Sequence, residues 1–138
     1  MVEAEAVRVG AELFDGPLRR AALARFLDSA GHHLLFAYGA DGDVIGMISG
    51  VETTHPDKGT EMFLYELGVA PRARRQGVAG ALVRALAALA EVRGCYGMWV
   101  AVDSDNVAAL ATYRGSGVNE EADCVTLSWD LAPSGTTS

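Results

Sequence analysis

Cysteine is scarce in this sequence. Cys95 and Cys124 are the only two, and they are not spaced as metal ligands. That excludes a disulfide-stapled scaffold and leaves two buried free thiols, as a reducing cytoplasm allows. No metal site is expected. Long apolar runs are also missing: the most hydrophobic helical stretch, Val78–Val92, is interrupted by Arg84 and Glu91 and is too short to span a bilayer convincingly. The opening residues Met1–Glu5 have neither the positive charge nor the apolar run of a signal peptide. Basic residues are outnumbered, 11 Lys and Arg against 18 Asp and Glu, and the net charge of -7 argues against a general nucleic-acid binder. Internal repeats and linkers are absent too. The chain therefore reads as a single cytoplasmic domain over residues 1–132 with a polar tail, 133–138, and with no nucleic-acid or membrane partner.

What is present is half hydrophobic and 21% charged, the balance of a globular domain. Residues 4–10 alternate as a first strand does. Asp15-Gly16-Pro17 opens a helix over about 17–29, with Leu18, Ala22, Leu23, Phe26 and Leu27 at helical spacing. Residues 33–38 and 44–51 form a hairpin about the turn 39–43, and 61–69 is the next antiparallel strand. A helix over Val78–Val92 and a strand over 96–102 follow, and a strand–helix–strand crossover of this kind makes the flanking strands parallel. Asp103-Ser104-Asp105-Asn106 caps a helix through Tyr113, and residues 118–122 and 124–131 supply one or two final strands.

One stretch stands out: a strand passes through Pro71-Arg72-Ala73-Arg74-Arg75-Gln76-Gly77 directly into a helix. The first turn of a helix has unpaired N–H groups and the positive end of the dipole. Glycine lets a phosphate approach those groups, and Arg72, Arg74 and Arg75 add charge beside them. The stretch reads as a site for a phosphorylated ligand; the alternative is that the arginines only solvate a turn.

Arg74-Arg75-Gln76-Gly77-Val78-Ala79 resembles the Q/R-x-x-G-x-G/A signature of the GNAT superfamily of N-acetyltransferases. Residues 106–118, with Asn106, Ala109, Tyr113 and Gly117-Val118, resemble the N-x-x-A-x-x-x-Y-x-x-x-G-F/V/I helix of the same superfamily. The resemblance implies an α/β (α+β) fold with a mixed, mostly antiparallel, splayed sheet of six or seven strands flanked by helices. It also implies acetyl-coenzyme A as cosubstrate. The backbone of Arg74, Arg75, Gln76, Gly77, Val78, Ala79 and Gly80 would cradle the pyrophosphate. Leu67 and Val69 would pair with the pantetheine arm, and Asn106 and Ala109 would contact the same arm.

By the same resemblance Tyr113 would protonate the departing thiolate; the alternative is an aromatic packing on the inner face of its helix. The attacking amine must lose a proton first. Glu66 is positioned in sequence to take it, directly or through a water, with Glu61 as rival and mere attraction of a cation as the alternative role. Strand alternation sets Glu66 and Gly68 on the face opposite Tyr65, Leu67 and Val69. His32, His33 and His55 are scattered and form no catalytic constellation.

Leu64–Val69 and Gly117–Glu121 are most similar to the aminoglycoside 3-N-acetyltransferase branch, although that branch carries Asp where this chain has Glu66. Acidic residues in expected rim segments, Glu52, Asp57, Glu120, Glu121 and Asp123, suit a cationic amine. The expected partner is thus a small cationic amine, an aminoglycoside first, with a polyamine, a protein or peptide amine, or a non-catalytic acyl-coenzyme A sensor as alternatives. Trp129 and the last strand offer an edge through which two copies could form a homodimer.

Overall fold

The computed structural model describes residue 6 and residues 12–132. The described elements run α1 (Arg20–Asp28), β1 (His32–Tyr38), β2 (Val44–His55), β3 (Gly59–Val69), a short 3-10 turn (Pro71–Ala73), α2 (Val78–Val92), β4 (Met98–Trp99) and α3 (Val107–Arg114). The expected first strand at 4–10 lies outside the described residues except for Ala6, which is helical and fully buried. The expected 133–138 tail lies outside them as well.

The sheet has the order β1-β2-β3-β4. β1 pairs antiparallel with β2, β2 pairs antiparallel with β3, and β3 pairs parallel with β4 across the α2 crossover. Mixed pairing is therefore as expected, but the described sheet has four strands rather than six or seven. Residues 118–132 contain no strand. Their alternating apolar side chains Val125, Leu127, Trp129 and Leu131 are 75–91% exposed, because alternation makes a strand only where a ladder partner is available. β4 itself keeps only two residues of the expected 96–102 strand. Trp99 stacks on Phe63 with ring centroids 4.4 Å apart, and the pairing stops there.

The two faces of the sheet bury different layers. On one, Ile48, Met62 and Leu64 meet Leu82, Val83, Leu86 and Ala90 of α2, which accounts for the apolar stripe of that helix. On the other, Leu13, Val44, Met47, Ala70 and Ala73 form a second cluster, with Phe14, Leu34 and Phe36 against it. Met47, Ile48, Met62, Leu64 and Leu86 are the largest side chains removed from solvent. The two thiols differ from expectation in part: Cys95 is half-buried, whereas Cys124 is exposed on the unpaired C-terminal segment. Two of the three histidines are structural partners of acids, while His32 packs its ring against Phe26. His33 binds Glu52 at 2.6 Å, and His55 binds Glu61 at 2.9 Å.

Gly68 marks the closest approach of chain to sheet. A Cβ built there would lie 2.1 Å from the carbonyl oxygen of Leu13, so only glycine fits without moving backbone. Gly68→Ala is expected to lower stability by about 2 kcal/mol through overpacking. Thermal unfolding measures it, and an unchanged melting temperature would remove the constraint.

Candidate active site

The site is built from β3 outward. The N–H of Glu66 donates to Ser49 Oγ at 3.1 Å, and the N–H of Ala70 donates to the Ile45 carbonyl at 2.9 Å, so both point toward β2. Peptide groups alternate sides along a strand. The backbone groups of Leu67 and Val69 therefore face the other edge, beyond the point where β4 has ended. Open donors and acceptors of this kind accept an extended ligand as an added strand.

Where β3 ends, the chain passes through the 3-10 turn to α2. Arg75 has φ 64° and Gly77 has φ 77°, both left-handed. For a residue with a Cβ such a conformation costs roughly 1–2 kcal/mol, and strain of that kind concentrates where backbone is shaped to bind. Gly77 caps α2 without a side-chain hydrogen bond, and the first turn contains no acid. The first hydrogen bond of the helix runs from the Ala81 N–H to the Gly77 carbonyl, 3.1 Å, and the N–H groups of Val78, Ala79 and Gly80 pair with none of the described residues.

The flanking charges divide into two kinds. Arg72, though exposed, is ion-paired with Glu12 and donates to the Val44 carbonyl, so it braces the turn instead of adding free charge. Gln76 donates to the Arg72 carbonyl at 3.4 Å. The side chains of Arg74 and Arg75 are exposed and pair with none of the described residues. These features together fit a pyrophosphate: unpaired amides, a helix dipole and two available guanidinium groups.

Two further expected residues sit on α3. Asn106 is its N-cap, and its Oδ1 accepts the Ala109 N–H at 3.1 Å. The capping role is thus occupied by the side-chain oxygen, while the Asn106 amide N–H groups stay available and Ala109 has only its methyl to offer. Tyr113 is half-buried against the cluster that includes Leu86 and Ala90, and burial pushes its phenol above the ordinary value. A phenol held protonated at neutral pH can donate; the same burial fits the packing role.

On the opposite face of the sheet lies a cleft of about 300 Å³. Phe14, Leu18, Leu23, Phe26 and Leu34 line it, with Ser49 and Glu66 as polar groups and Arg19 among the lining residues. Burial raises the Glu66 carboxyl; the nearby Asp15 carboxylate adds to this, and a hydrogen bond from the Asp15 backbone opposes it. Glu61, the rival base, does not line the cleft. It is held by His55 and by the Tyr96 hydroxyl at 3.0 Å, chiefly the former, and lies below its ordinary value. The expected acidic rim is also partly spent: Glu52 is bound by His33 and Arg93, and Glu121 by Arg114. Ser49 was not foreseen as a site residue, since a lone serine in an apolar strand gives no signal in sequence. Among the described residues no group of three or more His, Cys, Asp or Glu is arranged to hold a metal ion. None of the described helices is long and apolar enough to cross a membrane.

A strand edge opened beside a basic helix start, backed by an acid-floored cleft, defines an acyl-carrier-dependent transferase class. Residues 5–118 match the Acetyltransferase (GNAT) family, and the chain belongs to that family. Over 60 residues it is 38% identical to the [Ribosomal protein bS18]-alanine N-acetyltransferase of Escherichia coli (strain K12), a match covering 44% of this chain and 40% of that protein. Among solved structures, an aminoglycoside acetyltransferase from an uncultured soil metagenomic sample is similar with a TM-score of 0.74 and 27% identity, over 94% of this chain and 91% of that one. The fold is shared with the aminoglycoside 6'-N-acetyltransferase AAC(6')-IG of Acinetobacter haemolyticus, with a TM-score of 0.74, 23% identity and coverage of 94% and 93%. These likenesses do not separate a 3-N from a 6'-N branch.

The raised Glu66 value has a consequence for stability. The folded protein holds that proton more tightly than the unfolded chain does, so stability is lost as pH rises through the folded value. Glu66→Gln is therefore expected to raise the melting temperature at neutral pH, with the gain vanishing below the ordinary carboxylate range. A gain that is constant across pH would contradict it.

Proposed function

We propose that this chain transfers acetyl from acetyl-coenzyme A to the primary amine of a small cationic acceptor, by direct attack in a ternary complex. The observation that carries the reading is the raised Glu66 carboxyl on the floor of the cleft, one residue from the open backbone edge of Leu67 and Val69. The residues that would hold acetyl-coenzyme A are the amides from Arg74 to Gly80 with the Arg74 and Arg75 side chains, the backbone of Leu67 and Val69, and Asn106 with Ala109. When bound, it supplies a thioester: the amine nitrogen forms the new C–N bond, the C–S bond breaks, and the sulfur departs as thiolate.

Glu66 accepts the proton that the ammonium must lose, and its raised value brings the carboxylate closer in basicity to the amine it serves. Tyr113 donates its phenolic proton to the sulfur. The leading acceptor is an aminoglycoside, supported by the 27% identical neighbour whose description names that activity. A second reading is favoured by the apolar lining of Phe14, Leu18, Leu23 and Phe26: an amine flanked by an apolar group, as at a peptide N-terminus. The resemblance to an alanine N-acetyltransferase over 60 residues supports it.

Thiol release from acetyl-coenzyme A, measured over aminoglycosides, polyamines and short peptides, tests the reading. Tight binding of acetyl-coenzyme A with no turnover on any amine would make the protein a sensor instead. Tyr113→Phe is expected to lower kcat about 100-fold with little change in acetyl-coenzyme A affinity; an equal loss in affinity would assign Tyr113 to packing. Replacing Arg74 and Arg75 together by Ala should weaken acetyl-coenzyme A at least about tenfold in titration calorimetry, as loss of charge-assisted hydrogen bonds to phosphate implies. Unchanged affinity would return both arginines to the role of solvated turn residues.

A further inference from the structure

We infer that Ser49 is the second anchor of the acceptor amine, and that it makes the site selective for primary over N-alkylated amines. The inference rests on the reading of Glu66 as the carboxylate that receives the amine. Ser49 is the buried polar residue of the described core, only 3% exposed in a strand otherwise filled with Val44, Met47 and Ile48. A buried hydroxyl is costly unless its hydrogen-bonding capacity is used. One lone pair of Ser49 Oγ accepts the Glu66 N–H at 3.1 Å. No other described residue bonds to this hydroxyl, so a second lone pair and the O–H proton remain at the wall of the cleft it shares with Glu66.

The register explains why these two groups meet. Ser49 stands opposite Glu66, and the next pair is Gly50 with Leu64, so Tyr65 is an extra residue bulged out of the ladder. Without the bulge, Glu66 would share a face with Leu64, which is packed against α2. The bulge turns Glu66 to the cleft face and sets its own amide on the serine oxygen.

A neutral primary amine has two N–H groups and one lone pair. With Glu66 now holding the proton the ammonium lost, one N–H rests on its carboxyl oxygen and the other on Ser49 Oγ, and the lone pair has a single direction left, toward the thioester. An N-methyl amine lacks the second N–H, and its lone pair is not fixed in this way. Ser49 is thus a positioning residue for the nucleophile, apart from its bond to the Glu66 backbone.

The experiment compares kcat/KM for matched amines in wild type, Ser49→Ala and Ser49→Thr. One pair is an Ala-Arg-Tyr peptide and its N-methyl-Ala counterpart. The other is gentamicin C2 and gentamicin C1, which differ by an N-methyl on the 6'-amine, with the acetylated position read by fragment mass. For the pair it turns over, wild type should favour the primary amine strongly. Ser49→Ala should lose about tenfold on the primary amine and little on the methylated one, as loss of one hydrogen bond implies, and Ser49→Thr should keep the wild-type preference. Because the readout is a ratio within one protein preparation, loss of folded material cancels. A ratio in Ser49→Ala within about twofold of wild type would overturn the role of Ser49 alone. No turnover of either primary amine at the cleft by wild type would overturn the acceptor reading, and this inference with it.

Discussion

The hydrogen bond from the Glu66 amide to the Ser49 hydroxyl is the hinge on which β3 turns. Upstream of it Met62 and Leu64 face α2 and form the main core; downstream Glu66 faces the cleft and Gly68 lies against the Leu13 backbone. A strand of strict alternation could not do both, because Leu64 and Glu66 are two residues apart. The extra residue at Tyr65 reconciles a buried leucine with a cleft-facing carboxylate, and the serine oxygen takes the amide that the broken ladder would otherwise leave unpaired. The parallel ladder to β4 ends at Phe63, just before the same bulge. The core, the cleft acid and the opened strand edge thus share one local irregularity.

Much of this was legible in the sequence, for reasons that are local. The apolar stripe at Val78, Leu82, Leu86 and Leu89, with Arg93-Gly94 beyond it, is enough to mark Val78–Val92, and the structure has the helix over the same residues. The hairpin about residues 39–43 follows from turn residues between two apolar runs, and Asn106 at a helix start follows from its side-chain oxygen. The relation of Glu66 to Leu67 and Val69 needed only alternation.

What was not legible depends on partners. Residues 118–131 have a strand's pattern but no ladder, and 96–102 pairs only at Met98 and Trp99. Whether an alternating segment is a strand is decided by what lies beside it, which its own composition does not record. The bulge at Tyr65 leaves no compositional mark either. Arg72 was read as a third phosphate-facing charge because its neighbours are arginines; its pairing with Glu12, sixty residues earlier, is a tertiary contact outside any local pattern.

The electrostatic layout follows the same division between local and tertiary. An acidic chain of net charge -7 has many carboxylates, yet several are held by its own side chains: the rim acids Glu52 by Arg93 and His33 and Glu121 by Arg114, and the rival base Glu61 by His55. Pairing holds such acids ionised and structural, whereas a base must keep a free lone pair and a value drawn upward. Of the acids weighed for that role, Glu66 is the one drawn upward, by burial in the cleft that Phe14, Leu23 and Phe26 line. Arg74 and Arg75, by contrast, pair with none of the described residues and stand beyond the end of β3, at the start of α2. A single strand thereby leads from a basic carboxylate to a positive surface. In the proposed reading, an anionic donor and a cationic acceptor approach the same peptide edge from opposite faces without competing for charge.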